Sequence, residues 1–367
     1  MSGLENAKRA LAHFMVCGEP TDIRPYGNGH INDTYLVHMQ KGGQRWKLIL
    51  QGMNDDIFRQ PAQLMENILG VTSHLRGKIE AAGGDPERET LNVVCTMDGR
   101  PYYRDEDGNY YRVYKFIDNA VCYDAVESPR DFYESAVAFG HFQSMLADFP
   151  AHKLHETIPG FHDTAARFRR FCEVVKQDKM GRAKEMEKEI QFVLDHRELA
   201  QELGTMQSSG VLPLRVTHND TKLNNIMLDK DTGKAICVID LDTVMPGLAV
   251  NDFGDSIRFG ASTAAEDEVD LSKVECSMEL FEAYTAGFTQ GCAGRLTENE
   301  LKALPLGARV MTYECGMRFL TDYLEGDVYF KVHREGHNRD RCRTQFKLVA
   351  DMEAKRSKMD QIVGKYM

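Results

Sequence analysis

The chain has 367 residues, of which 42% are hydrophobic and 28% are charged, a composition typical of a folded protein with a large core. Its formal net charge is −11 and it has no block rich in lysine and arginine, so the sequence does not favour nucleic acid or another polyanion as a partner. No apolar run approaches the ~20 residues of a membrane-spanning helix, and nine scattered cysteines without a C-x-x-C pair indicate a reduced cytoplasmic protein rather than a disulfide or zinc scaffold.

The first segment contains two basic residues followed by the short apolar stretch ALAHFMVC, an order that also begins a signal peptide. His13 interrupts the stretch, and Gly-Glu-Pro follows it where a cleavage site would have small residues. The spacing of Leu4, Leu11, Phe14 and Met15 instead predicts an amphipathic helix, and we expect no signal peptide.

Most strand signals lie between residues 20 and 118. We predict strands over residues 21–26, 34–39, 45–51, 91–96, 101–104 and 110–117, with one helix over 61–79. The Lys41-Gly42-Gly43 segment between the second and third strands predicts a hairpin turn. This part of the chain is therefore expected to form a sheet with one helix.

The chain becomes helical from Ser128, an N-cap residue that a proline follows. Further helices are predicted over residues 164–177, 184–203, 272–290, 298–325 and 339–363. Thr297 and Glu300 have the spacing of a capping box, which fixes the start of one of them. The only strand signals in this half are short, at residues 214–217 and 235–240.

These two short strands flank the most informative motif, residues 215–225, RVTHNDTKLNN. His218, Asp220 and Asn225 have the spacing H-x-D-x-x-x-x-N of the kinase catalytic loop, in which the Asp receives the substrate hydroxyl proton and the Asn holds Mg²⁺. Twenty residues later an apolar strand, AICVID, ends in Asp240, where a second metal carboxylate is required. The combination predicts phosphoryl transfer from ATP with Mg²⁺.

Each acidic or amide group receives a role from this motif. We predict that Asp220 is the general base and that His218 holds the loop by hydrogen bonds. Asn225 and Asp240 are predicted Mg²⁺ ligands, since Mg²⁺ prefers oxygen donors. Asp242 shares a face with Asp240 in an extended segment, so it is an alternative ligand, a group behind the ligands, or part of a solvated acidic turn.

A second candidate metal motif, Asp252-Phe253-Gly254, spells the DFG of protein kinases. No apolar strand precedes it, so we assign the metal role to Asp240. We expect Asp252 and Asp255 to cap a helix that starts near Phe253 or to hold the catalytic loop through hydrogen bonds.

The predicted nucleotide contacts lie in the first lobe. Gly27 and Gly29 lie in YGNGHIND between two strands, where glycine lets the backbone approach phosphate oxygens. A kinase carries a lysine on its third strand for the α- and β-phosphates, but Gln51 stands there in LILQGM. We expect Phe116 and Ile117, at the junction of the lobes, to contact the nucleotide as well.

The order of these elements predicts an α+β, bilobal, protein-kinase-like fold. Residues 1–118 are expected to form a small strand-rich nucleotide-binding lobe. Residues 119–367 are expected to form a larger helical lobe that contains the catalytic loop and the acceptor site.

The segment CGMRFLTDYLEGDVYF, residues 315–330, combines charged and aromatic side chains. Arg318 and Asp322 are four residues apart on a predicted helix, so a simple surface ion pair is one interpretation. The other is a sugar site, in which bidentate groups bind hydroxyls and aromatic rings stack on the sugar.

The motifs HNDTKLNN, IDLDTVMPG, NDFGDSIRFGAST, YGNGHIN and ECGMRFLTDYLEGDVYF resemble the N-acetylhexosamine 1-kinases, a branch of the aminoglycoside phosphotransferase and choline kinase superfamily. The resemblance spans residues 20–366. It implies transfer of the ATP γ-phosphate to the anomeric C1 hydroxyl of N-acetylglucosamine or N-acetylgalactosamine. It also implies sugar contacts at His30, Phe259, Arg318, Asp322, Tyr329 and, nearby, Ile23.

Two other functions stay open at this point. A related kinase would act on an amino alcohol or an aminoglycoside, whose cationic acceptors would need a ring of carboxylates. The other alternative is a catalytically inactive kinase-fold binding protein, against which the intact motif argues. For the preferred function we expect a small sugar substrate, no nucleic-acid or membrane partner, cytoplasmic localisation, and a monomer or weak homodimer.

Overall fold

The computed structural model describes residues 3–27 and 31–367. The chain divides into two compact units: unit 1 contains Met1–Val121, Asp148–Pro159 and Met227–Met245, and unit 2 contains Cys122–Ala147, Gly160–Ile226 and Pro246–Met367. The predicted boundary between residues 118 and 119 lies three residues before the first junction. Neither unit is continuous, however, because two later segments of the chain return to unit 1.

The α+β class that the sequence predicts is confirmed, with strands concentrated in the N-terminal part and helices in the C-terminal part. The strands are β1 Glu19–Pro25, β2 Asp33–Lys41, β3 Gln44–Met53, β4 Val93–Val94, β5 Tyr103–Arg104, β6 Tyr110–Lys115, β7 Ala120–Val121, β8 Arg215–Thr217, β9 Ile226–Asp229, β10 Ala235–Val238 and β11 Met245–Gly247. The α-helices are α1 Gly3–Leu11, α2 Pro61–Ala81, α3 Pro86–Glu89, α4 Pro129–Met145, α5 Thr164–Gln177, α6 Glu187–Asp195, α7 Leu199–Ser208, α8 Ala249–Gly260, α9 Met278–Cys292, α10 Glu298–Glu325, α11 His337–Ala354 and α12 Arg356–Gly364. No helix in the described ranges is both long and apolar enough to span a membrane.

Unit 1 is built on an antiparallel sheet with the order β1-β2-β3-β6-β4, in which β5 also pairs with β6. The predicted hairpin joins β2 and β3: Lys41 pairs with Gln44, and Gly42 and Gly43 have φ of 55° and 85°. Two consecutive residues with positive φ form the tight turn that matches the twist of paired strands, which is why two glycines are needed here.

One face of this sheet is covered by α1, whose Ala7, Ala10 and Leu11 join the core formed by alternate residues of β2, β3 and β6. The amphipathic pattern predicted a helix here, but α1 ends at Leu11, before Phe14 and Met15; Phe14 is nevertheless buried. Met15 is 58% exposed, because α1 has already ended and the Met15 N–H bonds to the Cys95 carbonyl instead.

Unit 2 is a set of packed helices around α10. Its N-terminus has the predicted capping box between Thr297 and Glu300. Helices α8 and α10 cross so closely that a Cβ on Gly254 would lie 2.3 Å from the Gly307 carbonyl oxygen. Residues of α8 are almost all buried, so the segment that contains Asp252-Phe253-Gly254 forms part of the core of unit 2.

Candidate active site

The catalytic-loop motif lies in unit 2, directly after β8. The Asn225 side-chain N–H group donates to the Asp220 carbonyl oxygen at 2.8 Å and to its Oδ2 at 3.2 Å. Lys222 Nζ lies 2.8 Å from Asp220 Oδ1. Because the side-chain nitrogen of Asn225 faces Asp220, the side-chain oxygen of Asn225 points away from Asp220. The Asp220 side chain keeps 29% of its surface accessible. A base and an amide oxygen are thus available in one short loop.

Lys222 was not singled out from the sequence, although it belongs to the motif. Burial alone would lower the pKa of Lys222, but the carboxylates of Asp220 and Asp255 outweigh this effect and raise the pKa above its ordinary value. The ammonium group is therefore charged at neutral pH. A fixed cation beside the base is suited to stabilise negative charge on a transferred phosphoryl group.

Two aspartates of α8 hold the loop from beneath. Asp252 accepts hydrogen bonds from the His218 and Asn219 backbone N–H groups at 2.9 and 2.8 Å and from Gln143 at 2.8 Å. Asp255 accepts from the Thr221 backbone N–H group at 3.0 Å. Helix α8 begins at Ala249 without a side-chain cap, so the capping alternative is wrong and the loop-holding alternative is confirmed.

Burial has opposite outcomes for the pKa values of these two carboxyls. Burial raises the pKa of Asp252 above its usual value, although the hydrogen bonds from the His218 and Asn219 backbone N–H groups oppose it. Burial would also raise the pKa of Asp255, but Arg258 and Lys222 outweigh it and lower the pKa. Only Asp255 has cationic side chains as immediate partners, and this explains the difference.

His218 lies entirely inside unit 2, with no exposed surface. Its ring contacts the edges of Phe139 and Phe142, with centroids 5.4 and 6.1 Å apart. Its Nδ1 accepts a hydrogen bond from the Asp220 backbone N–H group at 3.3 Å. His218 therefore orients the loop from below, in the manner that the sequence predicts.

The predicted metal turn lies in unit 1, after β10. Asp240 has φ of 57° and ψ of 58°, the left-handed conformation, and begins a short 3₁₀ helix over Leu241–Thr243. An aspartate tolerates this conformation better than most residues do, and such backbone strain is frequent at functional sites. Asp242 is only 3% exposed, and its carboxylate accepts hydrogen bonds from Arg112 and Asn32. Because the Asp242 carboxylate is buried and already bonded, the structure favours Asp242 as a residue that supports the predicted metal ligands over Asp242 as a ligand itself.

The late segment of unit 2 places Arg318 among aromatic rings. Its guanidinium carbon lies 5.3 Å from the Phe330 centroid and 5.8 Å from those of Phe161 and Tyr329. No described residue forms an ion pair or a hydrogen bond with Arg318. The Asp322 carboxylate accepts the backbone N–H groups of residues 328–330 and the Asn338 amide, so the predicted surface ion pair is not formed.

Arg318 also belongs to a cluster with excess positive charge. Glu314, one turn earlier on α10, is fully buried and accepts hydrogen bonds from His162 and Thr164 at 3.0 and 2.6 Å. Burial alone would raise the pKa of Glu314, but His162, Arg167 and Arg318 lower it to about 2. Because Glu314 already balances Arg167 and His162, Arg318 keeps a cation available for another group.

Residues 22–276, more than half of the chain, match the model of a family described as the phosphotransferase enzyme family, APH. The chain belongs to this phosphotransferase family. An aminoglycoside phosphotransferase from Alicyclobacillus acidocaldarius has a similar structure, with a TM-score of 0.60 and 13% identity over 97% of this chain and 96% of that one.

Two further structures resemble this phosphotransferase. A choline/ethanolamine kinase family protein from Mesorhizobium loti gives a TM-score of 0.54 at 16% identity, covering 98% of both chains. A spectinomycin phosphotransferase in complex with ADP and spectinomycin gives 0.53 at 11% identity, covering 100% of this chain and 98% of that one. These similarities confirm the kinase-like fold.

Of the predicted sugar contacts of the phosphotransferase, Phe259, Arg318, Asp322 and Tyr329 belong to unit 2 and Ile23 belongs to unit 1. Arg318 and Tyr329 lie together, and Asp322 holds the loop that contains Tyr329. Phe259 lines a cavity of about 410 Å³, together with Arg258, Thr263, Glu266 and Gln345. Ile23 packs against the core of the unit 1 sheet, and His30 lies outside the described residues.

The predicted nucleotide contacts of the phosphotransferase that the structure describes belong to unit 1. Gly27 has φ of 78°, a conformation that suits glycine, whereas Gly29 lies outside the described residues. The Phe116 ring packs edge-on against Tyr26, 6.0 Å away, and Ile117 is 4% exposed. Gln51 bonds to Thr34 and Arg112, so it lies within a polar network instead of facing solvent.

Arg112 is the second residue that sequence reasoning missed in the phosphotransferase. A charged residue in the centre of the strand YYRVYK was the available signal, because a central strand normally buries apolar side chains. Burial alone would lower the pKa of Arg112, but Asp242 outweighs it and raises the pKa above its ordinary value.

Proposed function

We propose that this phosphotransferase is a kinase that transfers the γ-phosphate of ATP to the anomeric C1 hydroxyl of an N-acetylhexosamine, N-acetylglucosamine or N-acetylgalactosamine. The family supports phosphoryl transfer, and the H-x-D-x-x-x-x-N loop supports a hydroxyl acceptor. The resemblance of the late motifs to the N-acetylhexosamine 1-kinases supports the acceptor class.

In this proposal Asp220 accepts the proton of the sugar hydroxyl and aims the oxygen at the γ-phosphorus. Lys222, 2.8 Å from the Asp220 carboxylate, stabilises the charge on the transferred group. His218, Asp252 and Asp255 keep the loop in place through hydrogen bonds to its backbone.

Asn225 and Asp240 are the proposed Mg²⁺ ligands. No group of three or more His, Cys, Asp or Glu side chains in the described ranges could hold a metal ion by itself. Mg²⁺ is commonly bound by only one or two protein oxygens together with phosphates and waters, so a carboxylate and an amide oxygen fit it. Bound Mg²⁺ would neutralise charge on the phosphates, while the residues named above orient the acceptor and move its proton.

The observation that carries the acceptor assignment is Arg318, a cation with no ion pair or hydrogen bond to a described residue, beside three aromatic rings. A guanidinium can donate two parallel hydrogen bonds to hydroxyl or N-acetyl oxygens, and aromatic faces pack against a sugar ring. A neutral, oxygen-rich acceptor fits this chemistry.

A cationic acceptor, such as an amino alcohol or an aminoglycoside, fits it poorly. It would meet the charges of Arg318 and Arg167, and the nearby carboxylates are already engaged: Glu314 with His162 and Thr164, and Asp322 with backbone N–H groups. An inactive binding protein would not need the ordered Asp220 and Asn225 loop.

An ATP-consumption assay over a panel of acceptors tests the proposal. The panel contains N-acetylglucosamine, N-acetylgalactosamine, glucose, choline, ethanolamine and one aminoglycoside, each with and without Mg²⁺. We expect turnover with an N-acetylhexosamine only when Mg²⁺ is present. Preferential turnover of a cationic acceptor would instead indicate a kinase for amino alcohols or aminoglycosides. No turnover with any acceptor would favour an inactive binding protein.

A further inference from the structure

Arg112, in the centre of β6, is a buried cation at a place where the strand pattern requires an apolar residue. It is 2% exposed, and its strand neighbours Tyr111 and Val113 belong to the core of unit 1. Removing an arginine from water is unfavourable unless its charge and its N–H groups are satisfied. The retained charge therefore calls for a function of its own.

The charge of Arg112 is matched by Asp242 in a bidentate pair. Nη1 lies 2.5 Å from Oδ1 and Nη2 lies 2.9 Å from Oδ2, while Nε donates to the Gln51 side-chain oxygen at 2.9 Å. All three nitrogens of the guanidinium are thus engaged inside unit 1. Because these donors are already used and the side chain is buried, Arg112 is not placed to contact a phosphate directly.

The pair is the centre of a network that joins three strands to the turn after β10. Gln51 on β3 also donates to the Thr34 hydroxyl on β2 at 2.9 Å. Asn32, just before β2, donates to Asp242 Oδ2 at 2.7 Å and accepts the Asn54 backbone N–H group at 3.0 Å. The network contains Asn32, Thr34, Gln51, Asn54, Arg112 and Asp242, all in unit 1.

The same turn is held at two other points of unit 1. The Thr157 hydroxyl donates to the Asp242 carbonyl oxygen at 3.1 Å, and the Asn67 amide of α2 donates to the Val244 carbonyl oxygen at 3.0 Å. Asp240 lies two residues before Asp242, in the left-handed conformation. A backbone in such a conformation is kept by its surroundings. Among the described residues, Arg112 is the only cation that forms an ion pair with the Asp242 side chain.

In kinases, a lysine on the third strand pairs with a glutamate on the following helix, and this pair helps to arrange the phosphate site. Here Gln51 stands in the place of the lysine, and Glu66 on α2 pairs with His155 at 2.7 Å on the exposed surface. Lys47, earlier on β3, pairs with Asp118. None of these residues can form the usual lysine–glutamate pair.

We propose that the buried Arg112–Asp242 pair takes over this positioning role, holding the turn that contains Asp240 against β3 and β6 so that the Asp240 carboxylate is preset for the Mg²⁺–nucleotide complex. The inference rests on the proposed use of Mg²⁺ and ATP, and it makes Arg112 a positioning residue. Asp242 is then not a metal ligand but the anchor of one.

The test compares four proteins: wild type, Arg112→Gln, the exchange Arg112→Gln with Gln51→Lys, and Arg112→Met with Asp242→Asn. The exchange moves the cation to the strand position that kinases use, which lies opposite residue 112 in the pairing of β3 with β6. The last variant removes both charges, and the asparagine introduced at position 242 still offers a side-chain oxygen to the Asn32 amide. It therefore leaves no unpaired buried charge, so it should fold even if Arg112→Gln, which leaves the Asp242 charge unpaired, does not. Arg100→Gln, which breaks an exposed pair with Asp98, is the matched control.

Calorimetric titration with ADP is carried out twice for each protein, with excess Mg²⁺ and with EDTA, and thermal unfolding is recorded in parallel. We expect Arg112→Gln and the charge-free variant to bind ADP at least 10-fold more weakly with Mg²⁺, with a change of less than 3-fold in EDTA. The exchange variant should recover most of the lost affinity, and the control should behave as wild type.

The proposal is overturned if the charge-free variant binds Mg²⁺–ADP as wild type does, or if affinity falls equally with and without Mg²⁺. Reduced thermal stability of Arg112→Gln with normal Mg²⁺–ADP affinity would likewise leave the pair a purely structural contact. These outcomes differ from failure of the proposed function, in which wild type itself would bind no Mg²⁺–ADP; that result would overturn both proposals.

Discussion

Replacement of Arg318 by alanine tests the acceptor assignment within unit 2. The side chain forms no ion pair with a described residue, so its loss removes the aromatic contacts, at 5.3 to 5.8 Å, and the longer-range attraction to Glu314. Such contacts contribute about 0.5–1 kcal/mol at accessible sites. Loss of repulsion with Arg167 offsets part of this, so we expect a fall in Tm of no more than about 2–4 °C.

The effect on the acceptor should be larger than the effect on stability. Loss of a charge-assisted hydrogen bond to a sugar oxygen costs about 1.5–3 kcal/mol, which corresponds to an increase of about 10- to 150-fold in the sugar KM. The KM for ATP should change less than about 2-fold by the same reasoning, since Arg318 is assigned to the acceptor alone. Arg318→Lys keeps the charge but loses the planar fork, so an intermediate KM is expected.

Steady-state kinetics with each substrate varied in turn provide the measurement. Arg182→Ala is the control, because Arg182 also lies over an aromatic ring, 4.4 Å from the Tyr323 centroid, but pairs with Asp327. The control should lose stability and keep both KM values. An unchanged sugar KM in Arg318→Ala, or equal increases in both KM values, would refute the assignment.

Four further predictions concern the catalytic and buried carboxyls. Asp220→Asn should fold and bind ATP but lose about 10²–10⁴-fold in kcat, and a loss of less than tenfold would remove it from the role of base. Asp240→Ala should abolish Mg²⁺-dependent turnover in a metal titration. Asp252→Ala leaves three hydrogen-bond donors without an acceptor and should lower the free energy of unfolding by about 3 kcal/mol or more in thermal denaturation. If Asp252→Ala instead kept its stability and lost its metal dependence while Asp240→Ala stayed active, the metal role would belong to Asp252 and not to Asp240. The pKa of Glu314 is lowered from 4.5 to about 2, so the ionised carboxylate should stabilise the fold fully above pH 4.5 and lose this contribution as the pH falls towards 2. In chemical denaturation, the difference in free energy of unfolding between wild type and Glu314→Gln should therefore narrow over that range. A difference independent of pH would contradict the lowered pKa.

The sequence predicted a helix accurately where residues that begin and end a helix are both present. Helix α10 runs over the predicted residues, Glu298–Glu325, because a capping box begins it and Gly326, with φ of 102°, ends it. The helix predicted over residues 184–203 is instead a 3₁₀ turn followed by α6 and α7. No proline or glycine marks the break between α6 and α7, so the sequence contained no signal for it.

The candidate site shows the same division between local and long-range information. Asp220 and Asn225 could be predicted because their chemistry needs a fixed spacing within one loop. The partners of Arg112 could not, since Gln51 and Asp242 lie 61 and 130 residues away along the chain. Helical spacing made an ion pair with Arg318 one of two interpretations of Asp322, but the turn after α10 brings three backbone N–H groups to the Asp322 carboxylate.

The proposed reaction makes one prediction that no alternative function shares, the position of the phosphate on the sugar. Phosphorus NMR of the product formed from ATP, Mg²⁺ and N-acetylglucosamine or N-acetylgalactosamine reads this position directly. A phosphate on the anomeric oxygen couples to a single acetal proton and should give a doublet, and Asp220→Asn should give no such signal. A triplet from the two methylene protons of a 6-phosphate, or a phosphate ester formed only from choline, ethanolamine or an aminoglycoside, would contradict the assignment as a sugar 1-kinase.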